Sequence, residues 1–154
     1  MTYQIRQVEQ KDLDQLVALC GRHADFEGSE YEPVGKKGAL KKALFSKKAE
    51  LQALVVTQGQ QLVGYTTFIR QFSTWNAAYY MYMDCLYLDP DYRRMGIGKI
   101  LLERVRQYAQ LYQCQEIQWQ TPLTNQRAIQ FYRREGAVVK EKARCFLACH
   151  DQGN

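Results

Sequence analysis

Apolar and polar residues alternate over Tyr3–Val8, "YQIRQV", a period of two that predicts a strand with one buried face. The period changes at Gln10. From there to about Phe26 the residues Leu13, Leu16, Val17 and Leu19 recur at helical spacing, with Asp12 near the start. A turn-rich acidic stretch, "DFEGSEYEPVG", leads into a second helical pattern, "KKGALKKALF". Two strand-like runs follow, "LQALVVT" and "QLVGYTTFIR", and the short turn around Gly59 between them is a hairpin signal. The connection "QFSTWNAA" then precedes the strand "YYMYMDCLYL". Ile97, Leu101, Val105, Tyr108 and Tyr112 step by three and four, marking one buried helix face. A short strand, "EIQWQ", is followed by Thr124 and Asn125 as the cap of the helix "QRAIQFYRRE". Gly136 suits the left-handed residue that ends this helix, and "ARCFLACH" reads as a closing strand. The order β-α-α-β-β-β-α-β-α-β predicts a mixed α/β sheet with helices on both faces.

Composition adds limits to this picture. The 154 residues suit one domain, 1–154, and 46% hydrophobic with 24% charged residues is ordinary globular usage. No apolar run approaches the roughly 20 residues of a membrane span. The start "MTYQIRQVEQ" lacks a signal-peptide layout, so a cytoplasmic location without a membrane partner is expected. Five scattered cysteines and two distant histidines, His23 and His150, argue against a metal site or disulfide framework. Buried free thiols are expected instead, with Cys145 and Cys149 as core residues of the closing strand. The net charge of +5 gathers in "KKGALKKALFSKK" and around Arg93, Arg94 and Lys99. A basic helical run is ordinarily a solvated face, and the eleven tyrosines come without a nucleic-acid-binding pattern, so no nucleic-acid partner is expected.

The candidate chemistry lies in "LDPDYRRMGIGKILLERV", Leu88–Val105, where a glycine turn opens a helix. Orphan amides and the helix dipole make such a start an anion site, and glycine at 96 and 98 lets a phosphate approach the backbone. A magnesium-dependent phosphate loop needs Ser or Thr after Gly98-Lys99, where Ile100 stands, and it lacks the earlier glycine. A dinucleotide fingerprint needs a third glycine where Leu101 stands. What remains is a tight turn flanked by Arg93, Arg94 and Lys99, which taken alone is equally well a turn with solvated arginines.

Two motifs together are more specific. Arg93-Arg94-Met95-Gly96-Ile97-Gly98 matches the Arg/Gln-x-x-Gly-x-Gly/Ala signature, and Asn125-x-x-Ala128-x-x-Phe131-Tyr132-x-x-x-Gly136 matches a second signature downstream. On these residues the chain resembles the Gcn5-related N-acetyltransferases (GNAT) over nearly its whole length. The resemblance implies the GNAT fold, a mixed twisted sheet of about six to seven strands flanked by about four helices. It implies acetyl coenzyme A as donor. The pyrophosphate would lie on the turn Arg93, Arg94, Met95, Gly96, Ile97, Gly98 and Lys99. The pantetheine arm would run along Leu86, Tyr87 and Leu88, with Asn125 bonding the arm and Tyr132 facing the sulfur as the acid.

Within the superfamily the chain is most similar to the spermidine/spermine (diamine) acetyltransferases, which are usually homodimeric. Asp84 falls where that branch carries a glutamate proposed as base, and Phe26 and Glu27 fall on an aromatic-Glu pair that contacts the acceptor. Asp84 is two residues before Leu86, so strict alternation puts both on one face. Asp25, Glu27, Glu30, Glu32 and Asp84 could form an anionic pocket that favours a cationic amine. Trp75, Tyr79 and Tyr82 could wall an acceptor channel. Three functions stay open: transfer to a small primary amine (a diamine, polyamine or lysine-like amino acid), transfer to a peptide or protein amine, and a non-catalytic module that binds coenzyme A.

Overall fold

A computed structural model describes residues 2–150. The chain separates into two compact units, Met1–Gln120 and Thr121–Asn154. The first unit holds β1 (Gln4–Gln7), β2 (Gln52–Gln58), β3 (Gln61–Ser73), β4 (Ala78–Leu88) and β5 (Ile117–Gln118). It also holds α1 (Leu13–Phe26), α2 (Lys36–Phe45) and α3 (Ile97–Leu111), with 3-10 turns at Gln10–Asp12 and Pro90–Tyr92. The second unit carries α4 (Gln126–Arg134).

The strands form one sheet in the order β1-β2-β3-β4-β5. Neighbours among β1 to β4 run antiparallel, and β5 joins β4 in parallel, so the sheet is mixed as expected. Both faces are covered. Leu54, Val56, Val63, Phe68, Met81 and Met83 pack with Ile97, Leu101, Val105 and Ala109 of α3. Val55, Leu62, Tyr65 and Tyr87 pack with Leu13, Leu16 and Leu19 of α1 on the other side. Double coverage explains why β2 reads as a continuous apolar run: Ala53 to Thr57 are all buried. At the entry to α1, Arg6 donates to both oxygens of buried Asp12 at 2.7 and 2.9 Å, while the Glu9 N–H donates to Oδ2 at 2.8 Å.

Several expectations need correction. Five strands, rather than six to seven, are present among the described residues. "ARCFLACH" is not one of them: its alternation is strand-like, but a strand exists only where a neighbouring ladder receives its backbone groups. Phe146 and Leu147 are exposed there, and Cys145 and Cys149 are exposed free thiols rather than core residues. Cys20, Cys85 and Cys114 are half-buried free thiols. Tyr112, expected on the buried face of α3, is its exposed C-cap, and Ala109 takes the inward position. Half of "QFSTWNAA" is strand, its turn being Thr74–Ala77 alone. Beyond Phe68, the last β3 residue to pair with β2, β3 continues to Ser73 paired with β4 alone, which makes an extended ribbon.

Candidate functional site

β4 organises the site. Its pairing with β3 steps from Thr67–Cys85 to Phe68–Met83, leaving Asp84 as the extra residue of a β-bulge. A bulge shifts the alternation by one residue. Met83 and Leu86 therefore both pack toward α3, while Cys85 and Tyr87 pack toward α1. Asp84 does not share the face of Leu86, contrary to strict alternation. Its exposed carboxylate turns toward the α1 side, where Oδ2 accepts from Cys85 Sγ at 3.7 Å.

The opposite edge of β4 is open. β5 pairs with β4 only at Met81 and Tyr82, and from Met83 to Leu88 that edge has no partner strand among the described residues. Asp89 N–H donates to Val63 C=O at 2.8 Å. By the alternation of an antiparallel ladder, the amides of Leu86 and Leu88 face the open edge and that of Tyr87 faces β3. Tyr87 is buried on the α1 side, so of the three residues expected along a cofactor arm only Leu86 and Leu88 present backbone groups to it.

The open edge runs into the turn before α3. Arg94 (φ 62°) and Gly96 (φ 80°) are both left-handed, which reverses the chain within a few residues. Gly96 caps α3, and no atom lies within 4 Å of where its Cβ would stand. The amides of Ile97, Gly98 and Lys99 occupy the first turn of α3, where no intrahelical acceptor exists and the dipole favours an anion. Ile97 itself is fully buried, so it offers backbone only. Met95 is partly exposed. Arg93 differs from expectation: its Nε donates to Leu88 C=O at 2.8 Å, and its guanidinium lies 4.3 Å from the Phe26 ring centroid and 5.4 Å from that of Tyr87. That side chain joins the turn to the end of α1.

The end of α1 is tied to the same junction a second time. Arg22 Nε and Nη2 donate to the two oxygens of Asp89 at 2.8 and 3.0 Å, which raises the Arg22 pKa further. Phe26 and the C-cap Glu27 are exposed beside this clamp, as are Asp25 and Glu30. Glu32 is spent locally, accepting from Val34 N–H at 3.0 Å. Behind Glu27 lies a polar cluster that the sequence reading missed. His23 Nε2 lies 3.3 Å from Glu27 Oε1, and its Nδ1 lies 2.8 Å from the hydroxyl of buried Tyr65. The thiols of Cys20 and Cys85 neighbour the same phenol. Burial raises all three groups: Cys20 moves up, Cys85 reaches about 12 with help from the Asp84 charge, and Tyr65 rises well beyond the usual phenol range. The His23–Glu27 spacing of four residues on a helix was the available signal.

Trp75 is not brought to this cluster. It is 97% exposed at the tip of the ribbon, and β3 runs six residues from Thr67 at the bulge to Ser73, roughly 20 Å of strand. Tyr79, also on the ribbon, packs against Arg70 and Phe72. In the second unit Asn125 caps α4, its Oδ1 accepting from Ala128 N–H at 3.3 Å. Tyr132 is 8% exposed and lies 5.3 Å from the Phe131 ring. Gly136 (φ 96°) ends the helix as expected, with Gly136 N–H on Arg133 C=O and Ala137 N–H on Tyr132 C=O, both at 3.0 Å.

A mixed sheet whose fourth strand opens its edge into a glycine-capped helix start defines the class as an acetyltransferase fold. The chain belongs to the acetyltransferase (GNAT) family, whose sequence model matches residues 13–137, and it is an acetyltransferase. Among its relatives, the thialysine N-epsilon-acetyltransferase of Mus musculus is 25% identical over 157 residues, covering 97% of this chain and 92% of the relative. The Caenorhabditis elegans protein of the same name is 25% identical over 130 residues, 84% and 79% of the two chains. Among solved structures, an aminoglycoside acetyltransferase from an uncultured soil metagenomic sample, in complex with sisomicin, superposes with a TM-score of 0.77 at 22% identity over 97% of each chain. That likeness shows the fold. Among the described residues no helix is long and apolar enough to cross a membrane.

Proposed function

We propose that this chain is an acetyl-CoA-dependent N-acetyltransferase that acetylates the primary amine of a small cationic acceptor, one domain spanning both units. The matched family segment runs across the boundary between them, which supports a single functional domain. The observation that carries the reading is the junction itself. An open strand edge and an anion-favouring helix start adjoin the acidic end of α1 through Arg93 and the Arg22–Asp89 pair. GNAT acetyltransferases use acetyl-CoA, and the residues fit it. The amides of Leu86 and Leu88 would hold the arm, and those of Arg94 through Lys99 the pyrophosphate. By the family resemblance, Asn125 would bond the arm and Tyr132 would face the sulfur.

The acceptor amine must lose a proton. At pH 7 an alkyl ammonium of ordinary pKa near 10.4 costs about 4–5 kcal/mol to deprotonate. Asp84 would bind the reacting ammonium and pass its proton on through water, and Glu27 would bind a second positive centre on the acceptor. The amine then attacks the thioester carbonyl, the C–S bond breaks, and the leaving thiolate takes a hydrogen bond from Tyr132 and then its proton, which Tyr132 regains from the acylated nitrogen. Direct attack is favoured over an acetyl-cysteine route because burial keeps Cys20 and Cys85 as thiols. The relatives' name, thialysine acetyltransferase, supports an acceptor with an amine on a short aliphatic arm. A panel of diamines, polyamines, lysine analogues and peptides assayed for coenzyme A release tests the reading. Small amines should turn over and peptides should not; tight acetyl-CoA binding without any turnover would refute it. Tyr132→Phe should lower kcat by tenfold or more with acetyl-CoA affinity kept, about 1.4 kcal/mol of transition-state stabilisation.

A further inference from the structure

The cluster behind Glu27 has no part in the transfer chemistry, yet it holds the carboxylate at the C-cap of α1. We infer that His23 is a positioning residue that aims and charges Glu27 for a cationic acceptor, with Tyr65 holding the imidazole in the tautomer this requires. The inference rests on the amine-acetyltransferase reading above.

The tautomer follows from counting donors. The Tyr65 phenol keeps its single proton, because burial opposes the phenolate. The Cys20 and Cys85 thiols beside it also stay protonated, and Cys85 Sγ donates to Asp84 Oδ2. Sulfur is a weak acceptor and an imidazole nitrogen a strong one, so the phenol O–H points at His23 Nδ1, 2.8 Å away. Nε2 therefore carries the imidazole hydrogen and donates it to Glu27 Oε1 at 3.3 Å. The ring cannot swing away. Tyr87 stacks on it at 5.1 Å and 24°, and Tyr65 meets it edge-on at 5.9 Å.

This arrangement makes the acceptor site sensitive to the charge of the imidazole. The neutral ring orients Glu27 and leaves its charge whole, whereas an imidazolium would cancel that charge and repel a second positive centre on the acceptor. The groups facing the ring are Glu27 and, through Tyr65, Cys20 from α1, Tyr65 from β3, and Tyr87 and Cys85 from β4. Asp84 lies beside Cys85, and Arg93 lies over the Tyr87 ring. Glu27 is the one carboxylate in hydrogen-bond contact with His23 among the described residues.

Glutamine provides the discriminating variant. Its amide offers one acceptor and one donor on a fork, as neutral imidazole does, but takes no second proton. The readout is the KM of a dicationic amine relative to a monocationic one, which cancels the shared cost of deprotonating the reacting nitrogen. His23→Ala should raise that ratio about three- to fivefold, the scale of a partly exposed ion contact, with kcat for the monocation little changed. His23→Gln should keep the wild-type ratio, because its amide can hold the Glu27 carboxylate as the neutral ring does. A His23→Gln ratio as impaired as that of His23→Ala, or a wild-type ratio in His23→Ala, overturns the inference. So does a wild-type imidazole found by nitrogen-15 NMR with its hydrogen on Nδ1; only His23 and His150 contribute signals. The NMR result stands without turnover, so an enzyme inert toward every amine refutes the acetyl-transfer reading while the tautomer is still decided.

Discussion

Gly64 is the position where one methyl group should matter most to the donor side. It lies on β3, paired with Val56 of β2 and Leu88 of β4. A Cβ built there would stand 2.5 Å from Leu88 Cδ2, 2.9 Å from the Tyr87 carbonyl oxygen and 3.4 Å from Val56 Cγ2. The first contact is with the end of a flexible side chain, and relieving it costs a rotamer change of about 0.5–1.5 kcal/mol. The second is with backbone that the β3–β4 ladder holds in place, so the end of β4 must move by a few tenths of an ångström. Together Gly64→Ala should cost about 1–3 kcal/mol, as overpacking in a filled core does. For a chain of this size, about 2 kcal/mol lowers Tm by about 4–8 °C. The displaced segment is Tyr87–Leu88, so acetyl-CoA affinity should fall as well. Thermal and denaturant unfolding measure the first effect, and calorimetric titration with coenzyme A the second. Wild-type stability in Gly64→Ala would refute the reasoning, since it would mean that the end of β4 is not held as closely against β3 as the geometry requires.

The same substitution should have the opposite sign at Gly38. That residue lies inside α2 with no atom within 4 Å of a Cβ and no left-handed backbone, so Gly38→Ala should add about 0.5–1 kcal/mol in the same unfolding assays. Asp12→Asn should destabilise the fold by about 2–3 kcal/mol, less than a fully buried pair because Arg6 keeps 28% side-chain exposure. Burial pushes the Asp12 carboxyl up, but the Arg6 and Glu9 hydrogen bonds outweigh it and hold the folded-state value below the usual 3.8. Its stabilising contribution is therefore complete above the unfolded-state value and lost as pH falls through the folded one; urea melts from pH 6 to pH 2 should show wild type losing more stability than Asp12→Asn. Iodoacetamide at pH 8 with peptide mapping should label exposed Cys145 and Cys149 well before Cys20 and Cys85, whose thiols burial keeps protonated. Equal rates would contradict the closed Tyr65 cluster.

Local patterning determined much of this protein. The spacing of Leu13, Leu16 and Leu19, of Ile97, Leu101 and Val105, and the run Lys36–Phe45 was enough to place three helices, because each turn of a helix is a short-range event. Gly96, Asn125 and Gly136 marked helix ends for the same reason: each supplies a conformation or a cap that its own neighbours need. The two signatures pointed to the family, and the family match agrees. What depended on distant residues was not legible. "ARCFLACH" alternates like a strand, but alternation supplies no ladder partner. Asp84 changed faces because a bulge is decided between two strands, and no periodicity along one of them records it. The tertiary structure alone turned Arg93 from the helix start to Phe26, and joined His23 to Tyr65 across 42 positions of sequence. A side chain's partner is set by which surfaces burial presses together, and only the packed sheet brings the end of α1 against the open end of β4.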